Sequence, residues 1–101
     1  MMIFKVKDKF GKPVRLTKER WDHIIDRYPE IKPHLNKLKI VLQNPEIIIE
    51  NPYKKNEKYY HKYFRTLKNF LVIILESKKG FIITTFIARK RKKGKIKWEK
   101  N

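Results

Sequence analysis

The sequence predicts an α+β domain in which two N-terminal helices pack on a mainly antiparallel sheet of four to five strands. Apolar residues recur at helical spacing in the first half of the chain and at strand spacing in the second half. The chain has 101 residues, of which 41% are hydrophobic and 13% aromatic, enough for one hydrophobic core. Residues 1–101 are therefore expected to form a single domain of helices followed by strands.

A short strand at Ile3–Lys7 and a turn at 9–13 precede the first helix, which is predicted over 18–28. The turn contains glycine and proline, two residues that interrupt regular structure. Thr17 is a favourable N-cap, because its hydroxyl can accept a hydrogen bond from a free backbone N–H of the first turn. Pro29 ends the helix, since proline lacks the N–H that would continue it.

A second helix is predicted from apolar residues at helical spacing, namely Ile31, Leu35, Leu38 and Leu42. Pro33 is tolerated only in the first turn of this helix, where its missing N–H has no partner to lose. Asn44 and Pro45 end the helix, which is expected to pack beside the first.

The rest of the chain is predicted to form strands, at 46–50, 59–66, 70–76, 81–89 and 96–98. The run 70–75 is almost entirely apolar, so it is expected to be the central strand with both faces covered. Residues 77–80 are predicted to form a hairpin loop between this strand and the next.

The chain is strongly basic, with 27 Lys and Arg residues against 10 Asp and Glu residues and a formal net charge of +17. Such a charge favours contact with a polyanion, so nucleic acid is the leading partner class. Part of the excess could reflect a lysine-rich, thermophile-like composition, although the matching enrichment in glutamate is missing. A membrane surface is a weaker alternative, because the basic residues are spread along the folded segments.

The absence of cysteine excludes disulfides, thiolate nucleophiles and cysteine-based zinc sites. The first residues lack the apolar segment of a signal peptide, and no apolar run approaches the length of a transmembrane helix. A cytoplasmic protein without membrane contact is therefore expected.

The first predicted helix carries a basic stripe opposite its apolar face. At about 100° per residue, Arg20, His23 and Arg27 fall on this stripe, and His23 lies about 150° from the centre of the apolar face. The stripe is either an ordinary solvated surface or a phosphate-facing surface that carries an imidazole. The charge of the whole chain favours the second interpretation.

The predicted strand at 59–66 interleaves aromatic and basic side chains. By the two-residue period, one face carries Tyr59, His61, Tyr63 and Arg65, and the other carries Tyr60, Lys62, Phe64 and Thr66. Such a strand suits the stacking of nucleobases beside neutralised phosphates. It is equally typical of a half-buried sheet, since tyrosine and phenylalanine are good strand formers.

Six short runs spread over nearly the whole chain carry a resemblance to a known family, at 16–24, 29–31, 42–47, 59–60, 71–74 and 83–86. In this order they resemble the phage-associated branch of the barnase/EndoU/colicin/RelE-like (BECR fold) nuclease superfamily. The resemblance implies a small metal-independent endoribonuclease, without a cofactor, whose N-terminal helices pack on an antiparallel sheet. Members are often toxins, so an acidic antitoxin or immunity protein is an expected partner besides RNA.

The segment after the first helix departs from the family pattern. Where the phage-associated pattern usually has His-Pro-Glu, this chain has Tyr28, Pro29 and Glu30. A second imidazole is therefore absent there. Tyr28 falls on the apolar face of the predicted helix, and it is interpreted either as a core aromatic or as a proton donor.

RNA cleavage without a metal needs a base for the 2′-hydroxyl, an acid for the leaving 5′-oxygen and cations at the phosphate. His23 is the preferred acid–base residue because histidine changes charge near neutral pH, and His61 is the alternative acid. The other candidate catalytic residues are Tyr60, Arg65, Thr84 and Thr85. Only one of the two threonines can reach a given site, because they point to opposite faces of their strand. The candidate phosphate-binding or RNA-binding residues are Arg20, Arg27, Lys62, Arg89 and Arg91.

Two other interpretations of the chain are open, a metal site and a non-catalytic binding domain. Asp22, Asp26 and Glu30 could bind a metal, but carboxylates on a lysine-rich chain more often pair with lysines, so no metal site is predicted. A non-catalytic basic nucleic-acid-binding domain of phage or mobile-element origin would have the same fold without the chemistry. The basic run at 89–95 is interpreted first as a solvated turn and second as a phosphate-binding segment, which would add salt-dependent affinity without sequence specificity.

Overall fold

Seven β-strands and two α-helices make up the computed structural model, which describes all 101 residues. In chain order the elements are β1 (Met2–Lys7), β2 (Pro13–Thr17), α1 (Lys18–Arg27), a 3₁₀ helix (Pro29–His34), α2 (Leu35–Gln43), β3 (Ile47–Asn51), β4 (Lys54–Phe64), β5 (Asn69–Glu76), β6 (Phe81–Ala88) and β7 (Lys95–Glu99). The strands form one sheet in the order β1-β2-β6-β5-β4-β3-β7. The predicted α+β class is confirmed.

The sheet is larger than the sequence predicts, and the helices do not come first. In place of four to five strands after two helices there are seven strands, and β1 and β2 precede α1. The sequence does not predict β2, because a strand of five residues with two buried apolar side chains, Val14 and Leu16, is too short to show a clear two-residue period. β2 also runs parallel to β6, which makes the sheet mixed, although every other neighbouring pair is antiparallel.

α1 begins as predicted and ends one residue earlier, at Arg27. The Thr17 hydroxyl accepts a hydrogen bond from the Arg20 backbone N–H at 3.2 Å, which satisfies a free donor of the first turn. Trp21 and Ile24 are buried in the core. The opposite face of α1, with its charged side chains, is therefore exposed.

The second predicted helix is divided into two segments of different geometry. Pro29–His34 forms a 3₁₀ helix, and only Leu35–Gln43 is α-helical. The physical reason is that Pro33 cannot donate an i→i−4 hydrogen bond and its ring crowds the preceding turn, so regular α-helix starts after it. Neither α-helix is long and apolar enough to cross a membrane.

β5 is the central strand of the seven, as its apolar run predicts, and Leu71, Val72 and Ile73 are completely buried. The predicted hairpin loop between β5 and β6 is also confirmed. β4 spans Lys54–Phe64 instead of the predicted 59–66. It begins earlier than predicted because its first residues pair with β3 across a tight turn.

The two faces of the sheet bury different residues, because side chains alternate along each strand. The helices cover one face, where Leu71, Ile73 and Leu75 of β5 join the main core. The other face, hereafter the second face, carries a smaller apolar cluster that contains Ile47, Ile49, Tyr59 and Val72, with Phe70, Ile74, Phe86 and Ala88 packed against it.

α1 lies alongside the open side of β6. β2 pairs with β6 only between Arg15 and Phe81, so the remainder of β6 has β5 on one side and no strand on the other. α1 directly continues β2 and contacts β6 there. This arrangement brings the exposed face of α1 next to the second face of the sheet.

Candidate nucleic-acid groove between α1 and β6

An open groove of about 1120 Å³ lies between α1 and the second face of the sheet. From α1 and its ends come charged and polar residues, namely Thr17, Glu19, Arg20, His23, Asp26, Arg27 and Tyr28, together with Ile24. From β5, β6 and the connection to β7 come Ile74, Ile83, Thr84, Phe86 and Lys92. A charged helix face thus lies opposite a largely apolar strand wall.

The basic stripe of α1 lines this groove. Arg20, His23 and Arg27, which the helical period places on one side of α1, are all exposed and all reach the groove. Glu19 and Asp26 lie beside them on the same wall, so the stripe carries both signs of charge. No sequence signal assigns these two carboxylates to a site, because surface acids on a lysine-rich helix usually form ordinary ion pairs.

Thr84 and Thr85 lie on opposite faces of β6, because successive side chains of a strand point to opposite sides. Thr84 lines the groove, whereas Thr85 is completely buried on the other side of the strand. The Thr85 hydroxyl donates a hydrogen bond to the Val72 carbonyl oxygen at 2.7 Å. Thr85 therefore does not fit the expected catalytic role, and Thr84 is the threonine available to a ligand.

Tyr28 closes one end of the groove wall. Its ring is half-buried, lies 5.9 Å from the Phe86 ring between centroids and has the Arg27 guanidinium 5.6 Å from its own centroid. Tyr28 is thus both a packing residue and a groove residue. The two interpretations of Tyr28, as a core aromatic and as a proton donor, are therefore compatible.

Lys92 enters the groove from the connection between β6 and β7. Its ammonium lies 5.3 Å from the centroid of the Tyr59 ring and 5.7 Å from that of Phe86, both within cation–π range. In the sequence Lys92 is one of many basic residues between 89 and 95, and no local signal distinguishes it. Lys92 is distinguished from its basic neighbours only by the path of the connection over the second face.

Tyr60 lies on the helix-covered face and does not reach the groove. Its side chain is buried, and its hydroxyl donates to the Asp8 carboxylate at 3.0 Å. Burial, reinforced by the Asp8 charge, raises the pKa of Tyr60 well above its ordinary value. Tyr60 therefore does not fit the expected role of hydroxyl donor to RNA.

His61 is on the second face but is completely buried. Its Nε2 accepts a hydrogen bond from the Lys92 backbone N–H at 3.0 Å, which leaves Nδ1 as the protonated nitrogen, donating to the Tyr59 carbonyl oxygen at 3.0 Å. Burial lowers the pKa of this imidazole below its ordinary value. With both ring nitrogens engaged, His61 does not fit the expected role of catalytic acid.

The remaining basic candidates lie outside the groove. Arg65 is exposed in the turn after β4, and Arg89 is exposed where the connection begins. Lys62 and Arg91 line a separate depression near the chain's C-terminal end, where the Arg91 guanidinium lies 3.5 Å from the Glu99 carboxylate. These four residues are not brought together with His23.

The structure contains no group of three or more His, Asp or Glu side chains arranged to hold a metal ion. Asp22, Asp26 and Glu30 are the acids that a metal would need, and the Asp22 carboxylate pairs with the Lys18 ammonium at 2.8 Å on the exposed side of α1. Of the three, only Asp26 lines the groove.

A family model matches residues 4–99, which is nearly the whole chain, and its description is phage-Barnase-EndoU-ColicinE5/D-RelE like nuclease2. The chain belongs to this family of phage-associated nucleases. The resemblance inferred from the short sequence runs is thereby confirmed. No curated protein and no solved structure matches the chain.

Membership of this nuclease family makes nucleic acid the substrate class. The matched segment includes every residue of the groove, from Thr17 to Lys92. A groove whose one wall carries an imidazole and two guanidinium groups has the residue types that phosphodiester chemistry requires.

Proposed function

We propose that this nuclease is a metal-independent endoribonuclease that cleaves RNA in the groove between α1 and β6. The observation that carries the proposal is that Arg20, His23 and Arg27 of α1 line the same groove as Thr84 of β6. Residues 1–101 act as one domain in this proposal. An imidazole, two guanidinium groups and a hydroxyl in one groove supply proton transfer and charge stabilisation without a metal.

In the proposed reaction the His23 imidazole accepts the proton of the RNA 2′-hydroxyl. The 2′-oxygen then attacks the adjacent phosphorus, and the bond from phosphorus to the 5′-oxygen breaks. The products are a 2′,3′-cyclic phosphate and a new 5′-hydroxyl. DNA lacks the 2′-hydroxyl and is not a substrate for this step.

The cations of the groove stabilise the negative charge that develops on the phosphoryl oxygens. Arg20 and Arg27 flank His23 on the helix wall, and Lys92 approaches from the opposite wall. Guanidinium groups can bind two phosphate oxygens at once, whereas the ammonium acts as a point charge. The Thr84 hydroxyl adds a neutral donor on the strand wall.

The leaving 5′-oxygen needs a proton, and Tyr28 is the proposed donor. Tyr28 occupies the position where the phage-associated pattern usually has histidine, and its side chain lines the groove. A phenol can transfer a proton in the transition state when it is held close to the leaving oxygen. His61 is not used, because both its nitrogens are bonded inside the protein.

The test is cleavage of a labelled RNA and of its all-DNA counterpart by the wild type and by His23→Ala, in EDTA and in magnesium. The proposal predicts cleavage of RNA alone, equal in EDTA and magnesium, and lowered by about 10²–10⁴-fold in the variant. Cleavage that requires magnesium, or that proceeds at the wild-type rate in His23→Ala, would contradict it.

A non-catalytic RNA-binding module is the second candidate function. It is favoured by the tyrosine at position 28, because the groove then contains a single imidazole for a reaction that needs both a base and an acid. In that case intact RNA would be retarded equally by wild type and His23→Ala in a gel-shift measurement.

We also propose that the activity is toxin-like and restrained by an acidic inhibitor protein. The support is the net charge of +17 and the open groove, which an acidic partner could cover. Induced expression of the wild type should arrest bacterial growth, and expression of His23→Ala should not. Equal growth with both would remove the toxin role and leave the nuclease proposal untouched.

A further inference from the structure

His61 is an imidazole inside an apolar environment. Its ring is completely buried, and it packs edge-on against the Phe70 ring at 6.2 Å between centroids. The neighbouring cluster on this face consists mainly of aliphatic and aromatic side chains. A leucine or phenylalanine would satisfy such packing, so the polar ring needs another explanation.

That explanation comes from the connection between β6 and β7, residues 89–94. β6 and β7 run in the same direction and are separated in the sheet by β5, β4 and β3, so the connection crosses over these strands. The contacts of Lys92 with His61 and Tyr59 show that it does so on the second face. All six of its residues are exposed. A short exposed crossing of this kind has little packing to hold it.

One backbone hydrogen bond links this connection to the sheet. Within residues 89–94, the Lys92 N–H is the only backbone group that makes a hydrogen bond, and its acceptor is His61 Nε2 at 3.0 Å. Gly94 provides a second close approach, because a Cβ there would collide with the Glu50 carbonyl oxygen and its φ is +154°. The backbone is thus tied at Lys92 and approaches β3 closely at Gly94.

The residue whose backbone is held by this bond also places its ammonium in the groove. From the anchored backbone the side chain extends over Tyr59 and Phe86 into the groove that also contains His23 and Thr84. His61 does not itself line the groove, and its Nε2 accepts the hydrogen bond from the Lys92 backbone N–H. The hydrogen bond to Lys92 therefore links buried His61 to the groove.

We propose that His61 is a positioning residue that holds the Lys92 ammonium in the groove to bind an RNA phosphate. The inference rests on the proposed function for its ligand, and it assigns to buried His61 a role through another residue rather than direct chemistry. Without the Nε2 acceptor, the connection detaches and the ammonium leaves the groove for solvent.

The anchoring is tested by amide hydrogen exchange, measured by NMR without any nucleic acid. His61→Leu fills a similar volume but has no acceptor, whereas the amide oxygen of His61→Gln can still accept from the Lys92 N–H. The Lys92 amide should exchange much faster in His61→Leu than in the wild type, and His61→Gln should restore part of its protection. Equal protection in His61→Leu and wild type would overturn the inference.

The effect on RNA is tested in a His23→Ala background, so that binding is measured without cleavage. The probe is a labelled decauridylate, and the readout is the slope of log affinity against log salt. Loss of one phosphate contact should reduce that slope by about 0.7 for a single strand. His61→Leu and Lys92→Gln should each produce this reduction, and the double variant should reduce it no further.

Val41→Ala is the matched control, because Val41 is completely buried on α2 and does not line the groove. It should lower the melting temperature and leave the salt slope unchanged, which separates positioning from general destabilisation. An unchanged slope in His61→Leu, or additive losses in the double variant, would overturn the inference. RNA binding without cleavage by the wild type would remove the proposed function alone, and absence of binding would overturn both.

Discussion

The Tyr28 ring at the end of α1 lies 5.9 Å from the Phe86 ring on β6, at an angle of 39° between the ring planes. This contact joins the helix wall of the groove to its strand wall. His23 lies five residues before Tyr28, on α1, and Thr84 lies two residues before Phe86, on β6, so the contact restrains the separation of these two groove residues.

His23→Ala is expected to lower RNA cleavage by about 10²–10⁴-fold, the usual contribution of a general base, and to leave RNA affinity almost unchanged. The measurement is single-turnover cleavage together with a gel shift. His34→Ala is the control, because His34 does not line the groove and its Nδ1 has no hydrogen-bond partner. A similar loss of cleavage in both variants would argue against a catalytic role for His23.

Tyr28→Phe is expected to lower the cleavage rate by about 10²-fold or more while leaving the melting temperature unchanged. The variant removes only the phenolic oxygen and preserves the ring contact with Phe86. Tyr28→Leu should reduce both quantities, because the aromatic pair is lost as well. Wild-type turnover in Tyr28→Phe would show that the proton donor is another group.

Thr84→Val and Thr85→Val form a matched pair of adjacent, nearly isosteric changes on β6. Thr84→Val should lower cleavage and leave stability unchanged, because its side chain lines the groove. Thr85→Val should lower the free energy of unfolding by about 1 kcal/mol, through loss of the buried hydrogen bond to Val72, and leave cleavage unchanged. Urea denaturation and cleavage assays check both, and the opposite pattern would assign the site to the other face of the sheet.

Tyr60→Phe is expected to lower the free energy of unfolding by about 1–3 kcal/mol, because the buried Asp8 carboxylate loses a donor. RNA cleavage per folded molecule should not change, since Tyr60 lies on the helix-covered face. Chemical denaturation and kinetics on the same preparations test this separation. A selective loss of cleavage without loss of stability would return Tyr60 to the list of catalytic candidates.

The stability of the fold should decrease as the pH falls below about 6.5. Burial lowers the pKa of both His61 and His34 from the ordinary value of 6.5, so in this range the unfolded chain binds protons before the folded one does. The stabilisation is therefore complete above the unfolded pKa and is lost as the pH falls toward the folded values. Lys37 beside His34, and Arg91 and Lys92 beside His61, act in the same direction.

Urea denaturation between pH 7.5 and 5 measures this dependence. His61→Gln should flatten the curve, because glutamine does not titrate, and His34→Gln should remove the rest of the histidine contribution. A dependence of equal size in the double variant would assign the effect to carboxylates instead.

The elements that the sequence predicts well are those whose signals are local. The cap at Thr17 and the apolar run of β5 lie within a few residues of the structure that they specify. The basic stripe of α1 is similarly readable, because the helical period alone places Arg20, His23 and Arg27 on one side. β2 cannot be predicted from local signals, because its identity as a strand depends on pairing with β1 and β6.

The assignment of strand residues to the site could not be made from the sequence. Alternation requires that Thr84 and Thr85 point apart, and that Tyr60 and His61 do the same, but it does not say which face a ligand uses. The face is determined by where α1 and the connection between β6 and β7 come to lie, and both contacts join residues far apart in the chain.

The sequence by itself therefore determined the α+β class, the nuclease family, the basic character and the basic stripe of the helix wall. Only the tertiary structure decided that His61, Tyr60 and Thr85 are interior residues, and that Lys92 belongs to the groove. The physical reason is that periodicity and capping act between near neighbours, whereas burial and the position of a crossing connection depend on packing between distant segments.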